Sequence, residues 1–475
     1  MADAIYRSAR ELLEQLTAGQ VSARELLDEH IGRNEAIHGS INAVIATDLE
    51  RARADAAAID DARARGEQLG PLAGLPMTIK DGYDVDGMPA TAGNPAFTDR
   101  PSHCEDAALV ASLRAAGAVI WGKTNVPLML GDVQTYNSVH GTTNNPYDEA
   151  RTAGGSSGGA AAALATGVTP AELGSDIGGS LRHPANWCGV YALKPTWNVL
   201  SMRGHIPPPP GHHVDHDLGV GGPMARTADD LRLLYDALHD SAPRQPRDVR
   251  GARIALWLDD PAFPVSRDVR DVVARAADDL RGQGATVEAT TLPFAADELI
   301  ENYFALMYPI IGSGLPAAVY AKLEQTRDAH IASGESALDP YGMTAMAVHS
   351  TASYRAVARA MAARQALKDQ FAEWFTQWDA ILAPVAAVPA FPHQHKGPLP
   401  ERTIDVDGTD VAYPHLFDWV SLATDLHLPA VAAPVTRTET GLPVGVQLIG
   451  GWHEEHFLLD LAEALEQETG GFSAP

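Results

Sequence analysis

The chain is poor in the residues that mark several large functional classes. Of its 475 residues only two are cysteines, Cys104 and Cys188. That is too few for a disulfide framework or a cysteine-rich metal site, and both read as reduced thiols of a cytoplasmic protein. Lysine is scarcer still in proportion, with six residues against twenty-nine arginines. Acidic side chains outnumber basic ones 61 to 35, giving a formal net charge of −26. A surface of that sign opposes binding to a phosphate backbone and favours solubility. No run of about 18 uninterrupted apolar residues occurs, so no transmembrane helix is expected. The opening MADAIYRSARELLEQL is charged and amphipathic, unlike a secretory signal. What is left is an ordinary globular composition, 45% hydrophobic and 20% charged, with ample length for a buried core.

Along the chain, residues 1–65 read as helical. Ser8-Ala-Arg-Glu11 and Ser22-Ala-Arg-Glu25 each carry the spacing of a capping box. Leu12, Leu13 and Leu16, then Leu26, Leu27 and Ile31, recur at helical intervals. The segment Asp48–Arg65 predicts a third helix. From Leu72 the pattern becomes short apolar runs alternating with turns and helices. Strands are expected at Leu75–Ile79, Ala118–Trp121, Ala171–Leu173, Ala380–Ala383 and Val444–Ile449. Helices are expected at Glu105–Ala116, Ala160–Thr166, Ala228–His239 and Val269–Gln283. Such alternation implies an α/β fold, a sheet covered by helices. Residues 295–375 look mostly helical, as a cap or insertion on a single domain spanning 1–475.

Three motif matches fail on context. Gly117–Thr124 satisfies the P-loop formula, but its central Ala-Val-Ile-Trp reads as a buried strand and Pro127 follows where a helix should run. Gly155-Ser-Ser-Gly-Gly159 satisfies the nucleophile-elbow formula with Ser157 at its centre, yet the preceding residues 144–154 are polar and turn-rich. His212, His213 and His216, with Asp215 and Asp217, lie beside Pro207–Pro210 at spacings that fit no zinc helix. They are expected to form a solvated loop, and no metal is expected.

The chemistry concentrates between Arg151 and Thr196. Two glycine-rich turns each end on or beside serine, one at Gly154–Gly159 and one at Gly178-Gly-Ser180. Glycines allow a serine to be presented with neighbouring backbone N–H groups pointing one way, as an oxyanion hole requires. Lys80 ends the apolar run Gly74-Leu-Pro-Met-Thr-Ile-Lys80. Burial there disfavours its charged form, and a neutral lysine is a competent general base. The competing reading for Lys80 is a salt bridge to Asp81 or Asp84, and for the turns a purely connecting role.

These residues resemble the amidase signature family. The blocks that carry the resemblance are GLPMTIKDGYDV, AGAVIWGKTNVP, the serine-rich turn, GSDIGGSLRHPANWCGVYALKPT, GPMARTADDLRLLYDAL at 222–238, Leu428-Pro-Ala-Val and Gly441–Gly450. They spread over roughly residues 8–465. Membership implies a mixed β-sheet core with helices on both faces, and a Ser–cis-Ser–Lys triad. The family's base falls on Lys80, its bridging serine, with a cis peptide bond, on Ser156, and its nucleophile on Ser180. Oxyanion donors fall on the N–H groups of Ile177, Gly178, Gly179 and Ser180. Ser157, Asp176 and Arg182 take supporting places. The sequence departs from the common form at Ser175, at His183, in the longer Gly131–Gly141 stretch and in the loop His205–His216. Met129, Asp132, Gln134 and His183 are therefore the expected substrate-pocket residues. The resemblance implies a hydrolase of small hydrophobic or aryl amides, with a carbamate or nylon-oligomer hydrolase and the glutaminase subunit of a tRNA-dependent amidotransferase as alternatives. It implies no metal or organic cofactor, no nucleic-acid or membrane partner, and room for a homodimer.

Overall fold

A computed structural model describes residues 5–102, 104–206, 215–239, 246–335 and 337–475. Its centre is one mixed sheet of eleven strands. In chain order these are β1 (Val44–Thr47), β2 (Pro76–Lys80), β3 (Val119–Thr124), β4 (Ala171–Asp176), β5 (Tyr191–Lys194), β6 (Val220–Ala225), β7 (Arg253–Leu256), β8 (Thr286–Ala289), β9 (Ala380–Pro384), β10 (Ala430–Arg437) and β11 (Pro443–Ile449). Across the sheet they run β1-β3-β2-β4-β6-β5-β10-β11-β9-β7-β8. The pairs β3/β2, β2/β4, β9/β7 and β7/β8 are parallel and the other six antiparallel.

Both faces are covered. Along β9, Ala380 and Leu382 join one hydrophobic cluster, while Ile381 and Ala383 join the other. A strand buried on both sides reads as a continuous apolar run, which is why its sequence shows no alternation. The first cluster packs under α1 (Ala9–Thr17), α2 (Ala23–Ile41) and α3 (Leu49–Ala64), with α4 (Ala108–Ala115) and α5 (Gly158–Ala165). Both expected capping boxes form, at Ser8 with Glu11 and at Ser22 with Glu25. The second cluster gathers Leu299–Tyr308, Phe371 and Leu416–Leu428.

The expected elements are present with shifted ends. Helix α4 begins at Ala108, because Ala107 N–H is committed to Asp84 O at 2.9 Å and Ala107 itself is extended. Strand β3 runs on through Gly122-Lys-Thr124, so the residues that mimic a P-loop are flat, buried strand. Residues 295–375 hold the helices Ala296–Ser313, Ala317–Ser333, Met343–Ser350 and Tyr354–Phe375. The first supplies much of the second cluster, whereas the second buries only Leu323.

Candidate active site

Lys80 is the last residue of β2, held between Thr124 of β3 and the start of the β4 turn. It is fully buried. Its Nζ donates to Ser156 Oγ at 2.8 Å and to Ser175 O at 3.2 Å. Neither expected acidic partner reaches it. Asp81 pairs with Lys123 at 2.7 Å, and Asp84 pairs with Arg100 at 3.1 Å. The salt-bridge reading is therefore not realised. Burial pushes the Lys80 ammonium down to about 7, against the upward pull of Asp176 and Glu172. Losing the charge is cheaper than keeping it in a dry site.

Ser156 is carried by the turn between the short strand Asp148–Thr152 and α5. The Gly155–Ser156 peptide bond is cis. Side chains are excluded from this turn: a Cβ on Gly154 would lie 2.6 Å from Pro184 Cα, and one on Gly155 would lie 2.7 Å from Asp132 O. Ser157 is buried, its Oγ donating to Ser175 O at 3.3 Å and its N–H to Ser180 O at 3.3 Å. A strand does precede the turn, contrary to the expectation from its polar sequence. It belongs to a separate two-stranded ribbon with Asn144–Asn145, where an edge position tolerates polar residues. Ser157 stays inaccessible, so the nucleophile-elbow arrangement does not arise.

The second turn follows β4. Gly179 sits at φ +83°, in the left-handed region that glycine enters without penalty. The Asp176 carboxylate accepts from Gly179 N–H at 2.9 Å and Leu181 N–H at 3.1 Å, and also pairs with Arg182. Arg182 and its partners hold the Asp176 carboxyl well below the usual carboxylate range. One of the four expected oxyanion donors is thus already committed: Gly179 N–H turns toward Asp176. Among the described residues, the N–H groups of Ile177, Gly178 and Ser180 have no such partner. Ser180 retains 6% exposure, the slight opening a reactive hydroxyl needs. The two serine turns meet through their backbones, Ser157 N–H donating to Ser180 O at 3.3 Å.

The expected pocket residues fare differently. His183 is buried behind Gly179, stacked on Trp187 at 5.3 Å, with burial pushing its imidazole down to about 4. Its ring packs against the Gly179 turn. Asp132 and Gln134 spend their side chains on the segment beyond residue 391. Asp132 pairs with Arg402 at 2.7 Å and accepts from Tyr413 Oη at 2.8 Å, while Gln134 Nε2 donates to Tyr413 Oη at 3.0 Å and Gln394 O at 2.8 Å. They brace the wall behind the Ser156 turn. Met129 packs with Ala90, Ala92 and Ile206.

Two unanticipated side chains stand at the turn instead. A Cβ on Gly178 would lie 2.9 Å from Phe417 Cε1 and 3.3 Å from Tyr303 Oη. Tyr303 Oη donates to Ile177 O at 2.9 Å. Phe304 meets the Phe417 ring edge to face at 6.1 Å. Neither residue is near Ser180 in sequence, so only the apolar periodicity of their segments was available beforehand. His205, from the loop flagged as unusual, hydrogen bonds through Nε2 to Ser175 Oγ at 2.8 Å.

His212, His213 and Pro207–Pro210 lie outside the described residues. Of the remainder, Asp217 is taken by Arg364 and His427, and Asp215 accepts from Met202 N–H. No group of three or more His, Cys, Asp or Glu suited to a metal occurs among the described residues. Cys104 and Cys188 are both free thiols. No helix among the described residues is long and apolar enough to cross a membrane.

The Amidase family model matches residues 25–459. The chain is 34% identical to AtzE, the 1-carboxybiuret hydrolase subunit of Pseudomonas sp. (strain ADP), covering 97% of this chain and 98% of that one. It is also 34% identical to the A subunit of the glutamyl-tRNA(Gln) amidotransferase of Cupriavidus necator, covering 97% and 96%. A solved chain from a vestigial protein complex, inhibitor-bound and tied to the evolutionary origins of an s-triazine catabolic enzyme, superposes with a TM-score of 0.81. That chain is 31% identical, over 99% of this chain and all of the other.

Proposed function

We propose, for a chain that belongs to the Amidase family and is an enzyme acting on amide C–N bonds, that the reaction runs through Ser180, Ser156 and Lys80. The supporting observation is the buried contact of Lys80 Nζ with Ser156 Oγ at 2.8 Å, beside a turn whose N–H groups at Ile177, Gly178 and Ser180 are uncommitted. Ser180 Oγ attacks the carbonyl carbon while Ser156 takes its proton and passes one to neutral Lys80. The developing oxyanion is stabilised by the free N–H groups. The relay then returns the proton to the leaving nitrogen, because an amide does not expel an unprotonated amine. Water activated by the same relay hydrolyses the acyl-enzyme and restores Ser180. Ser157, Asp176 and Arg182 hold the two turns in register.

The substrate on this reading is a small amide with a hydrophobic or aryl group. Phe417 and Tyr303 pack against Gly178 of the Ser180 turn, and an apolar or aromatic group packs favourably against ring edges. A carbamate, or a nylon-type oligomer, presents the same carbonyl to Ser180 and is the second reading. The likeness to the A subunit of a glutamyl-tRNA(Gln) amidotransferase supports a third, in which the chain is the glutaminase subunit of a tRNA-dependent amidotransferase and works with a partner subunit. Residues 1–475 then act as a single amidase domain, with the helices of 295–375 supplying Tyr303 to the site.

The deciding experiment is a chromogenic panel turned over by wild type and Ser180→Ala. It contains an acyl anilide, the matching aryl carbamate and free glutamine. Anilide or carbamate turnover lost in the variant supports the stand-alone hydrolase, and their ratio ranks amide against carbamate. Turnover of glutamine alone favours the glutaminase reading.

A further inference from the structure

Glu172 is a second ionisable group in the core beneath the serine turn, and the mechanism above leaves it without a role. It is fully buried in β4, and no cation lies within ion-pair distance of it among the described residues. In the sheet it stands beside Thr78 of β2. Side chains alternate between faces along a strand, so Thr78 and Lys80 share one face of β2. Glu172 and Gly174 share the matching face of β4.

That face is the one the serines occupy. A Cβ on Gly174 would fall 3.1 Å from Ser157 Oγ and 2.6 Å from Leu181 Cδ2. The missing side chain at Gly174 keeps this strip open along the path Lys80 takes to Ser156. Thr124, paired with Lys80 across the β2/β3 edge, donates its hydroxyl to Glu172 Oε1. Leu173 N–H donates to Oε2 at 3.1 Å. Helix α5, which lies over this face, contains only glycine, alanine and leucine. It brings no counter-charge.

We propose that Glu172 is a positioning residue of the reaction, acting through Lys80: from β4 it sets the charge state of the base that serves Ser156. This rests on the reading of Lys80 as that base. An ionised Glu172 favours an ammonium at Lys80, and a protonated one leaves the amine neutral and ready to accept a proton. Burial pushes the Glu172 carboxyl up and the Lys80 ammonium down into one pH range, so the two groups titrate together and the charge of each bears on the proton of the other. The other charges around Lys80 are committed elsewhere. Asp176 is held by Arg182, Asp81 by Lys123, and Lys194 donates to Pro195 O and Leu428 O. β6 contributes no titratable side chain, and Tyr83 Oη donates to Gly174 O at 2.7 Å.

A fluorophosphonate, which reacts with an activated serine whatever the natural substrate, reads the base directly. Its rate of labelling is followed against pH in the full chain for wild type, Lys80→Ala, Glu172→Gln and Thr124→Val. Removing the carboxylate takes away a charge that raises Lys80, so the acid limb of Glu172→Gln should move to lower pH by about one unit. Thr124→Val removes a hydrogen bond to the ionised carboxyl and should move the limb the same way by less. Should Glu172→Gln not fold, the Thr124→Val limb carries the test. Limbs that superpose on wild type, with labelling lost in Lys80→Ala, overturn the proposal for Glu172 alone. Wild-type labelling in Lys80→Ala overturns the base assignment, and the role of Glu172 with it.

Discussion

Asp176 and Arg182 form a buried two-point ion pair across the turn that carries Ser180, with Arg182 Nε 3.1 Å from Asp176 Oδ2 and Nη2 3.0 Å from Oδ1. The same carboxylate accepts two backbone N–H groups of the turn. Arg182 in turn donates to Val420 O, Gln447 Oε1 and Thr424 Oγ1. One carboxylate therefore shapes the loop, and one guanidinium ties it to the far half of the sheet.

Asp176→Asn should remove the pair's charge and leave Arg182 buried without its counter-ion. Breaking such a pair from one side costs about 3–5 kcal/mol. The expected outcome is a markedly lower denaturation midpoint together with lost turnover, measured by urea unfolding and by hydrolysis of the same substrate. The folded-state pKa of Asp176 is depressed, so its contribution is full above the ordinary carboxylate range. It fades only as pH falls below that range, and the turn should survive mild acid.

Ser180→Ala should lower turnover by about a thousandfold or more, the scale at which a nucleophile's loss is felt, with the melting temperature little changed. Full retained activity would move the nucleophile elsewhere, and Ser157 would be the next residue to replace.

Lys80 supplies a pH dependence of known sign. With the amine's pKa pushed down to about 7, turnover should rise through neutral pH as the base loses its proton. Lys80→Ala should be nearly as damaging as Ser180→Ala, with partial recovery at high pH. The stability effect has the same origin. In the unfolded chain the lysine stays protonated to about pH 10.4, so stability rises with pH between about 7 and that value. Lys80→Met should thus raise the melting temperature more at pH 6 than at pH 9.5, by roughly 2 °C per kcal/mol recovered. Equal shifts at the two pH values would refute a buried, titrating lysine.

Phe417→Ala should enlarge the space beside Gly178 and favour bulkier acyl groups. Tyr303→Phe removes one hydrogen bond to Ile177 O, worth about 1 kcal/mol, and should lower kcat about fivefold with a smaller effect on KM. Unchanged acyl selectivity in Phe417→Ala would place the substrate on another wall.

What could be read from the chain beforehand follows from how local each feature is. The glycines that bend the Ser156 and Ser180 turns act on their own backbone, so their positions were legible. A lysine closing an apolar run was legible for the same reason. Glu172 carries a similar signal, a lone charge in a strand-like run, but its neighbours Thr124 and Thr78 come from other strands and only the sheet brings them to it. The stacking of His183 on Trp187, four residues on in the same helix, is a local contact that the sequence spacing allows but does not dictate. Nothing local linked Asp132 with Arg402, or Tyr303 with Ile177.

By itself the sequence determined where the backbone must bend and which side chains would be carried inward, since turns and apolar runs are settled among near neighbours. The tertiary structure decided which of those points meet. Lys80 lies 76 residues before Ser156, and they touch only because β2 is inserted between β3 and β4 in the sheet. That insertion gives β2 hydrogen-bonded neighbours on both edges and buries its last residue beneath the serine turn, which is the burial that makes a lysine give up its charge.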